Sequence, residues 1–187
     1  MKINGPGESS LLLLKVIGLL VKFKIPYVIV GAFAASFYGQ IRASVDADAV
    51  ISVDGRKKTL EKFSTALEKM NFNVELRHGD AQDPVRGVMS IQDKFHNRVD
   101  LLTGIRGMKD DVFDRAVTAS FIKKRIKIVS VEDFIAMKVF AGSFKDMDDV
   151  AVVLAVCEGK VDLALARKLV LGYGKKELAR LESLIKS

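Results

Sequence analysis

Apolar and polar positions along the chain follow two periods, and the switch between them divides it. Leu11–Val21 is an apolar run interrupted by Lys15, with Glu8 ahead of it and Lys22 and Lys24 behind. Spanning a bilayer takes about 20 uninterrupted apolar residues, and a signal sequence carries its charges before the run. The reading is an amphipathic helix over about Ser9–Phe23, with Gly7–Ser10 supplying its cap, and no targeting segment. Tyr27–Val30 is short, apolar and β-branched, as in a buried strand. A small-residue helix is expected over Ala32–Tyr38, bounded by Gly31 and Gly39. Alternation over Ile41–Val53 predicts a strand with Ser44, Asp46 and Asp48 on one face, where Val50 would join them. Arg56–Met70 has a helical stripe of Leu60, Phe63, Leu67 and Met70. Strands follow at Asn73–Arg77, Arg86–Ile91 and Arg98–Leu102, then a short helix near Lys109–Phe113 and a strand near Arg125–Val129.

From Val131 the period is helical: Val131–Ala141, Lys145–Cys157, Asp162–Leu171 and Lys175–Ile185. Ser130 and Asp133 have the spacing of a capping box with Asp in place of Glu. The expected class is α+β, with residues 1–129 forming an α/β core and residues 130–187 a helical part packed on it.

Composition narrows the chemistry. One cysteine, Cys157, excludes an intramolecular disulfide and a four-cysteine zinc site, and a free thiol fits a reducing cytoplasm. His78 and His96 are the only histidines, and neither has a nearby Cys or His partner in sequence, so both read as surface residues. Gly172–Lys176 lacks the earlier glycine and the hydroxyl residue that a phosphate loop requires. The net charge of +7 suits either a solvated lysine-rich surface or a polyanionic partner. Lys123, Lys124, Arg125 and Lys127 read as an edge strand kept soluble by charge, with RNA contact as the alternative.

The strongest local feature is Ser44-Val45-Asp46-Ala47-Asp48. On a strand, residues two apart point the same way, roughly 6.6 Å apart. Two carboxylates among apolar neighbours repel each other and resist burial, and a divalent cation relieves both problems. Asp146-Met147-Asp148 repeats the spacing on a helix, where residues two apart diverge. Asp100 lies in the apolar strand Val99–Leu102, where an acid calls for a partner: a metal, Arg98 or Arg42. Beside the Asp46 strand it would complete a three-carboxylate cluster. Glycine at Val30-Gly31-Ala32 permits close backbone approach, and the following helix start offers N–H groups to phosphate.

In this order the pieces resemble the nucleotidyltransferase superfamily related to DNA polymerase β, most closely its small bacterial minimal and toxin–antitoxin members. The segment YVIVGAFAASFYGQIRASVDADAVI carries the turn and the Asp-x-Asp strand. SVEDFIAMKVFAGSFKDMDDV carries a helix lysine, Lys138, followed by Lys145, Asp146 and Asp149. The likeness spans roughly Val16–Val156. It implies a mixed β-sheet flanked by helices, and transfer of a nucleoside monophosphate from a nucleoside triphosphate to a hydroxyl of RNA (tRNA in particular), a protein or a small molecule. Asp46, Asp48 and Asp100 would be the catalytic and metal-binding residues, holding Mg2+ or Mn2+. Gly31 and Ala32 would offer N–H groups to phosphate, with Ser44 beside them. Lys138 is a triphosphate contact or a helix-surface lysine, while Arg42 meets phosphate or neutralises the acids. Asp146 and Asp149 would pair with Lys138 or Lys145. Many members have Ser or Gly where this chain has Ala32, so the alternative is an inactive binding module, one half of a toxin–antitoxin pair with a protein partner.

Overall fold

The structure, a computed structural model, describes residues 2–40, 45–80 and 82–186. Its centre is a mixed seven-stranded sheet: β1 (Tyr27–Val30), β2 (Asp46–Ile51), β3 (Asn73–His78), β4 (Gly87–Gln92), β5 (Arg98–Thr103), β6 (Val117–Phe121) and β7 (Lys124–Ile128). The strand order is β3-β4-β5-β2-β1-β7-β6. β2 runs parallel to β5 and β1 parallel to β7, and the remaining pairs are antiparallel.

Seven α-helices surround the sheet: α1 (Ser9–Lys22), α2 (Gly31–Phe37), α3 (Lys57–Glu68), α4 (Val131–Ala141), α5 (Phe144–Val156), α6 (Leu163–Tyr173) and α7 (Lys175–Ile185). α1 lies against β2 and β5, and α3 against β3. One face of these strands supplies Ala47, Ala49, Met89, Ile91, Val99 and Leu101 to the core, all buried. The period-two alternation therefore puts Asp46, Asp48, Ser90 and Asp100 on the other face. The buried cluster runs from Ile3 through Val139 and Val153 to Leu181, so the C-terminal helices share it with the sheet.

Several expectations change. Met70 lies beyond the end of α3 and is exposed, so the stripe of that helix is Phe63 and Leu67, with Leu60 partly buried. The short helix is a 3-10 turn over Asp110–Phe113. β6 was not anticipated, and it displaces the basic strand β7 from the sheet edge: β7 lies between β1 and β6, with Ile126 and Ile128 turned inward and its basic residues exposed. Ser9 is not a helix cap. Its hydroxyl donates to the Val45 carbonyl and accepts from the Arg98 amide. That buried side chain ties the start of β2 to the start of β5.

The C-terminal helices begin with side-chain caps. Ser130 accepts from the Asp133 amide, and the Asp133 carboxylate turns to Ser130 Oγ and Arg115 rather than completing the expected reciprocal box. The reciprocal box is at Ser143 and Asp146, where it opens α5. α4 ends on left-handed Gly142, and Arg180 of α7 donates to the Val139 carbonyl of its last turn at 2.8 Å.

Candidate active site

Pairing of β2 with β5 sets the site. Asp48 is directly opposite Asp100, and Asp46 opposite Arg98. Parallel neighbours in register point to the same face, so the three predicted carboxylates share one side of the sheet. Val30 pairs with Asp48 on the other flank, which brings the β1–α2 turn alongside. There Gly31 has φ +64, and a Cβ on it would overlap the Asp48 carboxylate. Glycine is required twice over, for the left-handed backbone and for the room. Ala32 is buried in the first turn of α2 and offers no hydroxyl.

The acids differ in their surroundings. Burial, together with the charges of Asp100 and Asp46, pushes the Asp48 carboxyl up to about 6, while Lys138 and Arg98 pull it the other way. Asp100 is well supplied: its Oδ1 accepts from Ser90 Oγ at 2.7 Å and from Arg98 Nε at 2.9 Å. Arg98 Nη2 also donates to Ser90 Oγ at 3.2 Å, closing a three-membered group. The sequence offered metal, Arg98 or Arg42 as partners of Asp100, and the structure shows Arg98 there. Ser90 was missed, because finding it requires knowing that β4 neighbours β5.

Lys138 projects from α4 toward these acids. Its ammonium lies 2.6 Å from Asp146 and 2.8 Å from Asp149, both on α5. It also lines a cleft of about 240 Å³ together with Gly31, Asp48, Leu102, Met137 and Phe140. The lysine thus braces α4 against α5 and faces the site at the same time. Arg42 and Ser44 lie outside the described residues. His78 and His96 are exposed.

Among the described residues, no group of three acidic, histidine or cysteine side chains could hold a metal ion as arranged. Asp100 in particular is turned to Arg98 and Ser90. The donor set nevertheless suits an oxygen-seeking divalent cation. Two acids share a strand face, a third lies in register beside them, and burial with the charges of its two neighbours raises the Asp48 carboxyl. A cation that draws in Asp100 competes with the Arg98 guanidinium for that carboxylate.

The mixed sheet, the glycine turn and the acids on adjacent strands give the chain the fold of the nucleotidyltransferase superfamily. Solved structures bear this out. The antibiotic-resistance factor ANT(2'')-Ia superposes with a TM-score of 0.61 at 14% identity, covering 94% of this chain and 95% of its own. The lincosamide antibiotic adenylyltransferase LnuA, solved with lincomycin bound, gives 0.53 at 14% identity, covering 82% of this chain and 99% of its own. An antigenic nucleotidyltransferase-like protein from Paracoccidioides brasiliensis gives 0.54 at 18% identity, covering 96% of this chain and 92% of its own. No family model and no curated protein matches by sequence. No helix among the described residues is long and apolar enough to cross a membrane.

Proposed function

We propose that this chain transfers a nucleoside monophosphate from a nucleoside triphosphate to an acceptor hydroxyl. The observation that carries the reading is Asp48, crowded by Asp46 and Asp100 and packed against the bare Cα of Gly31. The likeness to solved nucleotidyltransferases supports it. The apolar cleft between Asp48 and α4 suits a nucleoside, with Leu102, Met137 and Phe140 as its walls and Lys138 as the cation for its phosphates. Gly31 lets the backbone of the turn come close to those phosphates, and Ala32 adds its N–H.

Asp46 and Asp48 would hold Mg2+ or Mn2+, and Asp100 would join them once turned from Arg98. The ion supplies charge neutralisation at the reacting phosphate. In the transfer, the acceptor oxygen bonds to the α-phosphorus and the bond from that phosphorus to the β-phosphate bridge breaks. Pyrophosphate leaves with the electron pair, and Asp100 takes the hydroxyl proton. Positioning the two reactants is the greater part of such catalysis.

The test is incubation with each labelled nucleoside triphosphate, Mg2+ and total RNA. Label transfer by the native chain that Asp48→Ala abolishes is the expected result. Triphosphate binding without transfer would favour the second reading, a binding module paired with a protein partner, for which buried Ala32 and the Arg98–Asp100 pair speak. Absence of both metal and triphosphate binding would end both readings.

A further inference from the structure

Beyond Asp100, on the same open face, lies a second cavity of about 240 Å³. Its walls include Glu75, Arg77, Ser90, Arg98, Asp100 and Leu102. Leu102 is shared with the apolar cleft on the Asp48 side. Both adjoin the carboxylates, as does a third cavity of about 410 Å³ at Asp46, which has no basic residue among its described walls; with the donor in the apolar cleft, an anionic acceptor is left the cavity lined by arginines. This inference rests on the function proposed above.

Arg98 is placed for two jobs that compete for one guanidinium. Its guanidinium holds Oδ1 of Asp100 at 2.9 Å. Yet its side chain is 45% exposed, and three of its five N–H donors remain for a ligand in the cavity. A planar guanidinium binds phosphate in bidentate fashion, at least as well as it binds a carboxylate. Solvent reaches the pair from the Arg98 side, while the Asp100 side chain is 16% exposed and keeps Ser90 Oγ as a donor when the guanidinium turns away.

We infer that Arg98 couples the charge of the acceptor to the readiness of Asp100: a phosphate group next to the acceptor hydroxyl takes the guanidinium and releases the carboxylate. The acceptor class is thereby phosphate-bearing, since a neutral or cationic acceptor offers Arg98 nothing in exchange for Asp100. Arg77, on the same wall but without a recorded bond to Asp100, adds attraction without the coupling.

Mn2+ binding, read by electron paramagnetic resonance, tests this without relying on turnover. Titrations use the native chain, Asp48→Ala, Arg98→Gln and Arg77→Gln, each with and without a short RNA oligonucleotide and its uncharged methylphosphonate counterpart, with protein-free blanks. The native chain is expected to bind Mn2+ about fivefold more tightly with the RNA present and to ignore the uncharged counterpart. Arg98→Gln should show the tighter binding from the start, with no further response to RNA. Arg77→Gln should weaken RNA binding and leave the Mn2+ affinity of the RNA-free protein unchanged. Equal Mn2+ affinity in native and Arg98→Gln chains, or the same gain in Arg77→Gln, overturns the coupling while Asp48-dependent binding upholds the site. Binding that Asp48→Ala does not alter overturns both.

Discussion

Asp46-Ala47-Asp48 and Asp146-Met147-Asp148 are the same three-residue pattern in two settings. On β2 the acids share a face and meet a third from β5, and burial with mutual repulsion raises Asp48. On α5 they diverge. Asp148 points to solvent, while Asp146 joins buried Asp149 around the ammonium of Lys138. Burial pushes Asp146 up, but hydrogen bonds from Lys138 and Ser143 outweigh it and hold the carboxyl below its ordinary value. On α5 one ammonium answers two carboxylates, while at Asp48 burial and the neighbouring acids outweigh the pull of Lys138 and Arg98. The same spacing gives two electrostatic outcomes, so spacing alone is no guide to role.

Six substitutions probe that contrast. Asp48→Ala should reduce transfer by about a thousandfold, since losing several kcal/mol of charge stabilisation costs a factor of ten for each 1.4 kcal/mol. Steady-state assays read it, and transfer within tenfold of native would remove the strand acids from the reaction. Lys138→Met takes the ammonium from an Asp149 side chain that is 1% exposed. It should lower stability by about 3 kcal/mol in urea titrations, and an unchanged midpoint would show that α4 and α5 do not depend on it. Gly31→Ala adds a methyl group against Asp48 on a left-handed backbone. A loss of about 2 kcal/mol is expected, and Gly31→Ala combined with Asp48→Gly should recover part of it.

Asp48→Asn sharpens the comparison through pH. The folded carboxyl is raised to about 6 from an ordinary value near 4, so the folded chain binds the extra proton and stability falls as pH rises through this window. At pH 7.5 without divalent cation, the substitution should stabilise by about 1–2 kcal/mol, and near pH 4 the gain should vanish. Urea titrations at the two pH values check the sign; a gain that persists at pH 4 would assign it to packing. Asp148→Ala should change neither transfer nor stability by more than about 0.5 kcal/mol, as befits an exposed helix position.

Much of this was legible in advance. Tyr27–Val30, Val131–Ala141 and Lys175–Ile185 match their predicted bounds, because caps and breakers mark their ends: Pro26 and Gly31, Ser130 and Gly142, and Gly174. Convergence of Asp46, Asp48 and Asp100 followed from alternation once two strands were taken as neighbours. β6 escaped notice because an outermost strand buries little: Val117, Thr118 and Ser120 are exposed, which leaves no apolar alternation to read. Ser9 and Ser90 escaped for another reason. Each acts on a residue far along the chain, and strand order carries that information. For Lys138 the sequence left a triphosphate contact or a helix-surface lysine; its side chain is 12% exposed and paired with Asp146 and Asp149, which removes the second.

Arg180 of α7 donates to the Val139 carbonyl across the helical part. Its acceptor is the residue next to Lys138, so the last helix holds the final turn that aims this lysine at the acids. Anything that grips or displaces α7 therefore pulls on a lever whose short arm ends at the cleft beside Asp48.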